Sequence, residues 1–595
     1  MQKFVFYVRH LQMSEVEPEK ISELFKGKKS FLRTLFAPSE IRQDFNKMPH
    51  VSLRALHWHT HYGILKAVNA KHLRYLDLST CSPDDGLLDS ICLLYNLQTL
   101  RLNDCYRLRQ LPENLVINLR KLVHLYLFGC SGLDRMPRNI GKLKNFLTLT
   151  TFIVDTREGC GIDELKDLQH LSNRLELYNL RKIQSVNHAK EAHLKQKQNL
   201  SELLFCWGLT RYDKPESEAC NEKEVFQCLQ PHDNIEIMEL YGYGGLEMPQ
   251  WMGYPQMFKC LRKLKIFKCT RCKNIPLVWL SSSLVYLSLE DMGELKSICD
   301  NLDIEGGGDG LSLHIFPNLK KMNLKHLPSL ERWAENSAGE SVDSLVVFPV
   351  LEEATIEDCP MLASFPSSPI LRELRISLFA IRQRMESSPE EVPPLYNSML
   401  PASLEVCWIQ GYECWVALPP NLGELAKLQE LLVNNCYGLT SLPDGMHGLT
   451  SLRELTISGS PEIEEFPHGL LERLPTLECL SIDGCPELER RCREGGEYFD
   501  LVSSIPRKYI QQASPESVQV EESGIEALEP ESEIEATETE TGIEAPEPES
   551  EIEAREAESR TEAQSGTEAP EAESRVNKFL RRLIPCCARS NSDSN

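Results

Sequence analysis

Residues 428–485 read LQELLVNNCYGLTSLPDGMHGLT, then SLRELTISGSPEIEEFPHGLLERLP, then TLECLSIDGC. Aligned on Leu428, Leu452 and Leu477, three segments fall into one register. Offsets 0, 3 and 5 are apolar: Leu428, Leu431 and Val433; Leu452, Leu455 and Ile457; Leu477, Leu480 and Ile482. Offset 8 holds Cys436, Ser460 and Cys485, and offset 14 opens Leu442-Pro443 and Phe466-Pro467.

A template LxxLxLxxC/N repeating every ~24 residues with a return arm is a leucine-rich repeat. It predicts an α/β leucine-rich-repeat solenoid, a horseshoe with a parallel β-sheet on its concave face. Side chains alternate across a strand, so offsets 3 and 5 point inward and offsets 2, 4 and 6 outward. One coil cannot bury its leucines alone, and stacking supplies the core. A small, weakly polar group suits the turn at offset 8. The apolar-Pro pair suits an extended far wall without ladder partners.

Outward from this stretch, the same template starts at Leu53, Leu73, Leu97 and Leu122, becomes irregular over 150–250, and resumes at Ile235, Leu261, Leu284, Leu319, Leu351, Leu371 and Leu404. About 14 to 16 coils are expected, the longer ones carrying loops such as NLDIEGGGDG and ENSAGESVDS. AKEAHLKQKQ (189–198) is rich in helix formers and is expected to be a helical arm. The domains expected are a leading segment (1–50), the solenoid (51–485), a cap (486–510), a disordered acidic repeat tail (511–575) and a short basic Cys-containing tail (576–595).

The chain has 595 residues and a net charge of −24. Residues 516–575 hold 21 Glu and 3 Arg, so most of the acidity belongs to that tail. There GIEALEPESEIEATETET is followed by a near copy, GIEAPEPESEIEAREAES. Such a sequence cannot bury enough apolar surface to order itself. No signal-peptide core and no run of about 18 apolar residues is present. Seven of the 21 cysteines (Cys81, Cys105, Cys130, Cys269, Cys359, Cys436 and Cys485) sit at offset 8, explained by register without disulfides. A cytoplasmic, reducing setting is expected.

Several blocks resemble the repeat domain of plant intracellular nucleotide-binding, leucine-rich-repeat disease-resistance proteins of the coiled-coil type, especially the cereal group. They are LQTLRLNDCYRLRQLPENL, LVHLYLFGCSGLDRMPRNIGKLKNFLTLTTFIV, CGIDELKDLQHLSNRLELYNLRKI, KQNLSELLFCWG, EVFQCLQPHDNIEIMELYGYGGLEMPQWM and CPELERRCREGGEYF. The likeness spans about residues 30–505. It implies a role in plant defence: recognising a pathogen effector or a guarded host protein, and restraining a nucleotide-driven receptor switch. That family places a coiled coil and a nucleotide-binding module before its repeats, whereas here residue 1 already lies near them. GxxxxGK[ST] is absent, since Gly27-Lys28-Lys29-Ser30 lacks the earlier glycine. No cofactor is therefore expected. Beside this stands a free-standing scaffold or adaptor that recruits a protein substrate to another complex.

The expected binding site is the concave strand face, which offers Tyr75, Asp77, Arg101, Tyr126, Phe128, Lys263, Lys265, Phe267, Lys321, Lys325, Arg375 and Trp408. The lysines of 263–325 look like a basic cluster for an acidic protein partner, with the acidic tail as one such counterpart. The low pI of 5.2 argues against nucleic acid. His57, His59 and His61 alternate as zinc ligands could, but His61 falls at an inward offset. Cys269 and Cys272 form a lone CxxC without a second pair. No metal and no catalytic constellation are expected, so the chain reads as a binding module rather than an enzyme. Cys586 and Cys587, after FLRRLIP, resemble a reversible lipidation site that would give peripheral plasma-membrane association, although incidental free thiols fit the same residues.

Overall fold

Each LxxLxL segment forms a short strand with its inward pair buried. In Glu430–Asn434, Glu454–Ser458 and Cys479–Asp483 the second and fourth residues are all 0% exposed. The computed structural model describes residues 10–12, 33–37, 53–58, 71–83, 85–211, 213, 221–254, 259–275, 283–299, 313–335, 341, 343, 346–378, 395, 398–411 and 417–510. All lie in the first of two units, Met1–Pro515. The acidic repeats, Cys586 and Cys587 belong to the second, Glu516–Asn595, and lie outside the described residues, as do the two loops named above for the most part.

The strands stack in chain order as a 7-stranded sheet from His10–Gln12 to Thr148–Leu149 and a 14-stranded sheet from Thr151–Ile153 to Arg507–Ile510. All their pairings are parallel. The break between them is one spliced residue. Leu149 registers with Leu125, but Thr151 registers with Glu176. Thr150 Oγ1 accepts from Leu127 N at 2.7 Å, and Thr151 Oγ1 donates to Leu127 O at 3.3 Å. Glu176 N donates to Thr150 O at 2.8 Å. Two threonine hydroxyls thus satisfy the groups a bulge would orphan. Counting 148–153 once, the 7 and 14 strands make twenty rungs among the described residues, more than the 14 to 16 expected. The surplus lies where leucine spacing is weak: His10–Gln12, Thr34–Ala37, Arg507–Ile510 and the irregular middle.

Many of the turns that follow these strands share a device at offset 7. Thr80, Asp104, Gly129, Lys268, Asp291, His326, Asp358, Asn435, Gly459 and Gly484 all have φ between 49° and 76°. In this left-handed conformation the next residue swings inward, which buries Cys105, Cys269, Cys359, Cys436 and Cys485 completely. Several offset-7 N–H groups donate to the next coil, as Asp104 does to Phe128 O at 2.7 Å and Asn435 to Ser458 O at 2.7 Å. Gly, Asn and Asp tolerate this conformation best. The buried thiols bond to backbone carbonyls: Cys130 Sγ to Leu102 O at 2.9 Å and Cys105 Sγ to Leu78 O at 3.3 Å. Every described cysteine is a free thiol.

In the irregular middle, aromatics replace leucines. Trp207, Phe226, Tyr243 and Trp251 pack at 4.8–5.4 Å between ring centroids and are each 0–1% exposed. The expected arm over AKEAHLKQKQ is shorter than propensity alone predicts. A helix spans Val186–Glu191, His193 takes φ 48°, and a 3-10 turn follows at Leu194–Gln196. Burying Ala189, Ala192 and Leu194 together outweighs helical continuity. Lys197 then turns inward, 0% exposed, and Nζ donates to Leu165 O at 2.8 Å and Leu168 O at 3.1 Å.

Candidate protein-binding face

Offsets 2, 4 and 6 of successive rungs line up in three columns on the sheet face opposite the leucines. Register places Lys263, Tyr286, Lys321 and Glu353 in one column, and Thr355, Arg375 and Trp408 in the next. All twelve expected site residues occupy such outward positions.

At the N-terminal end, the Phe36 and His57 rings stack at 4.2 Å. His57 Nδ1 lies 3.0 Å from Asp77, and Arg101 Nε 3.6 Å from the same carboxylate. Arg101 in turn sits 4.7 Å over the Tyr126 ring. Asp77 also accepts from Tyr75 Oη at 3.2 Å and from Ser79 N and Oγ at 3.1 and 2.6 Å. Burial alone would raise its carboxyl pKa, but the hydrogen bonds from His57 and Ser79 outweigh it and hold the value at about 2. Tyr75, half-buried beside that carboxylate, is pushed up to about 12. His57 is thus committed to Asp77 rather than to a chelate; His59 and His61 lie outside the described residues.

Further along, Glu176 is 1% exposed and joins three neighbours. Arg174 lies at 2.6 Å, Arg211 at 2.8 Å, and Tyr178 Oη donates at 3.1 Å. Arg174 also bonds Glu202 at 2.8 Å and lies 5.3 Å over Phe128. Arg211 arrives on a strap that leaves the strand Asn199–Cys206 and folds back over the face. Asp213 fastens the strap by accepting from Leu209 N, Thr210 N and Thr210 Oγ1. Under it, the outward residues Leu204, Cys206 and Tyr241 are nearly fully buried, against Tyr178 and Phe267. Between strap and turn 127–133 lies a cavity of about 370 Å³, with Phe128, Leu133, Ile153 and Leu209 on its walls and Glu176 and Arg211 at one end.

Toward the C-terminus the face is more polar. A groove of about 590 Å³ runs from Tyr286 to Asn434, with the Arg375 guanidinium 3.5 Å over the Trp408 ring.

The lysine cluster requires a correction. Lys321 bonds Glu353 at 2.6 Å, Lys325 bonds Glu357 at 2.5 Å, and Lys265 lies 3.8 Å from Glu239. Lys263 sits 5.1 Å over the Tyr286 ring. These residues do share one face, but the carboxylates in the facing register leave no basic patch. Cys269 and Cys272 are buried and donate to Phe267 O at 3.7 Å and Asn274 O at 3.3 Å; burial pushes both thiols up, Cys272 to about 12. This is core chemistry, and it disfavours the thiolates a metal needs. Glu290, Asp291 and His326 are close enough to hold an ion, yet His326 already lies 3.2 Å from Asp291 and 3.4 Å from Asp358.

Sequence reasoning missed Arg174, Glu176, Tyr178, Glu239, Tyr241 and Arg211. Four of them carry a legible signal. RLELY (174–178) and IMELY (237–241) repeat an outward Glu and Tyr, and in each the tyrosine donates to its own glutamate, at 3.1 and 3.2 Å. Arg211 comes from a non-periodic strap and leaves no such trace.

Residues 162–292 match the family model described as R13L1/DRL21 LRRs, and residues 248–376 match leucine-rich repeats of RPS2-like plant disease resistance proteins. A candidate disease resistance protein of Arabidopsis thaliana is 32% identical over 317 residues, 52% of this chain and 21% of the relative. Disease resistance protein RGA2 of Solanum bulbocastanum is 32% identical over 257 residues, 42% and 24%. The candidate RPP13-like protein 1 of Arabidopsis thaliana is 28% identical over 510 residues, 81% and 46%. A leucine-rich-repeat protein of Leptospira interrogans overlays 82% of this chain and 97% of its own, at a TM-score of 0.35 and 16% identity. The chain thus spans between a fifth and a half of the length of these plant relatives. The repeats of 162–376 are thus similar to those of plant disease-resistance proteins. Among the described residues, no helix is long and apolar enough to cross a membrane.

Proposed function

We propose that this chain is the protein-binding repeat module of a plant disease-resistance receptor, working in the cytosol, and that it engages its partner on the outward strand face. The partner is a pathogen effector, a guarded host protein, or the nucleotide-binding module of a related receptor. Engagement restrains a resting state or releases it, which requires different affinity for the two states.

One observation carries this reading. Aromatic and cationic side chains recur along the outward face: Phe36 stacks on His57, Arg101 lies over Tyr126, and Arg174 lies over Phe128. Tyr and Arg supply a disproportionate share of binding energy where surfaces meet, and here neighbours already hold their rotamers. Extended repeat faces bind macromolecules in this way.

The test is quantitative co-purification from infected leaf tissue with a Tyr126→Ala/Lys265→Glu/Trp408→Ala variant of unchanged thermal stability. The proposal expects loss of a specific partner. Equal recovery of every partner by variant and wild type would overturn it.

A further inference from the structure

The C-terminal part of the face carries a charge pattern opposite to the basic one expected of the lysines. Six consecutive rungs are involved: Glu353–Glu357, Glu373–Ser377, Val406–Gln410, Glu430–Asn434, Glu454–Ser458 and Cys479–Asp483. Their outward positions hold six carboxylates, Glu353, Glu357, Glu373, Glu430, Glu454 and Asp483, against one cation, Arg375. Cations from the flanking rungs reach the ends only: Lys321 and Lys325 bond Glu353 and Glu357, and Arg507 bonds Glu454 at 2.7 Å. Arg375 bonds Glu373 at 2.5 Å. Glu430 and Asp483 have no cation within bonding distance among the described residues. Between the two columns lie the Trp408 ring and Leu432, an apolar strip at the end of the 590 Å³ groove.

Resting on the proposed function, we infer that this face takes a cationic polypeptide segment of the partner. Charge complementarity selects the sign. Glu430 and Asp483 lie diagonally across Thr456, with Leu432 and Trp408 on the Glu430 side, so the matching ligand has two Lys or Arg residues spaced to reach both carboxylates and an apolar residue beside the one that meets Glu430. Glu430 and Asp483 are two rungs and about four residues apart, roughly 16 Å at ordinary strand spacing. An extended segment spans that distance in about five residues. An acidic segment would add to the carboxylates already present, and like charges in register repel. The flanking ion pairs are partly exposed and exchangeable, so an incoming cation can replace Lys321 or Arg507 at small cost.

The experiment uses the full chain and two fluorescein-labelled synthetic decapeptides of the same apolar content, one with four Lys/Arg and one with four Glu. Binding is read by anisotropy at low and high salt, and its location by amide hydrogen exchange. The inference expects the cationic peptide alone to bind, to protect residues 406–483, and to lose about tenfold in affinity in the Glu430→Lys/Asp483→Lys variant. A Glu430→Gln/Asp483→Asn variant, which removes charge without adding any, keeps the test valid if charge reversal unfolds the chain; it is expected to weaken binding severalfold. Protection confined to the acidic repeats of 516–575, or equal affinity in wild type and variants, overturns the inference. Partner recovery lost with Tyr126→Ala but retained in Glu430→Lys/Asp483→Lys would overturn the cationic segment while leaving the strand-face function standing.

Discussion

Lys197 offers a sharp test of the packing described above. It is fully buried, donates to two carbonyls, and has its pKa lowered to about 8, first by desolvation. In the unfolded chain a lysine titrates near 10.4. Below pH 8 the group is charged in both states, and the fold bears the cost of the buried ammonium. Between pH 8 and about 10.5 the folded state sheds its proton while the unfolded chain keeps it, so the folded state gains stability relative to a non-titrating side chain. At ~1.4 kcal/mol per pH unit the gain sums to roughly 3 kcal/mol. Lys197→Met keeps most of the volume and removes the titration; Leu165 O keeps its bond from Leu168 N, and the Leu168 carbonyl loses its donor at a cost of about 1–3 kcal/mol. Urea unfolding of both proteins, followed by far-UV circular dichroism from pH 7 to 10.5, isolates Lys197, because every other titrating group is shared. Wild type should gain on Lys197→Met steadily above pH 8. A pH-independent difference would refute a buried ammonium at this position.

Other expectations follow from the face and its turns. Glu176→Gln, which removes the charge between Arg174 and Arg211, should cost about 2–3 kcal/mol and accelerate amide exchange over residues 207–213, since the strap loses its anchor. Gly129→Ala should cost about 1–2 kcal/mol in urea unfolding: φ is +76° and an added Cβ would lie 2.1 Å from Asp104 Oδ1. Asp77, held at about 2 when folded, contributes stability that is present above pH 4 and lost as pH falls toward 2. Wild type should therefore lose its advantage over Asp77→Asn across that window, by about 2 kcal/mol in thermal unfolding.

Much of this architecture is legible in the leucines. Wherever offsets 0, 3 and 5 are filled, as at Leu428, Leu452 and Leu477, strand, face and core follow from side-chain alternation alone. Four things escape that logic. The middle rungs bury Trp207, Phe226, Tyr243 and Trp251, so the core persists while the leucine code fades. The left-handed residue at offset 7 is written in NDC, FGC, NNC and DGC, but FKC and KHL take the same conformation without the favoured residue types. Charge on the face is set across strands. Lys321 and Glu353 are 32 residues apart and 2.6 Å from each other, which linear inspection of the lysines does not reveal. The strap carrying Arg211 is local, non-periodic and specific to one coil.

The most direct measurement of the central claim is site-specific photo-crosslinking in infected leaf cells. A photoreactive side chain is placed on the strand face at Tyr126 or Leu432, or away from it at Ile117, which is 65% exposed on a coil arm. Strand-face binding predicts that one and the same protein is captured from Tyr126 or Leu432 and not from Ile117. Capture from Ile117 with none from the strand face would contradict it.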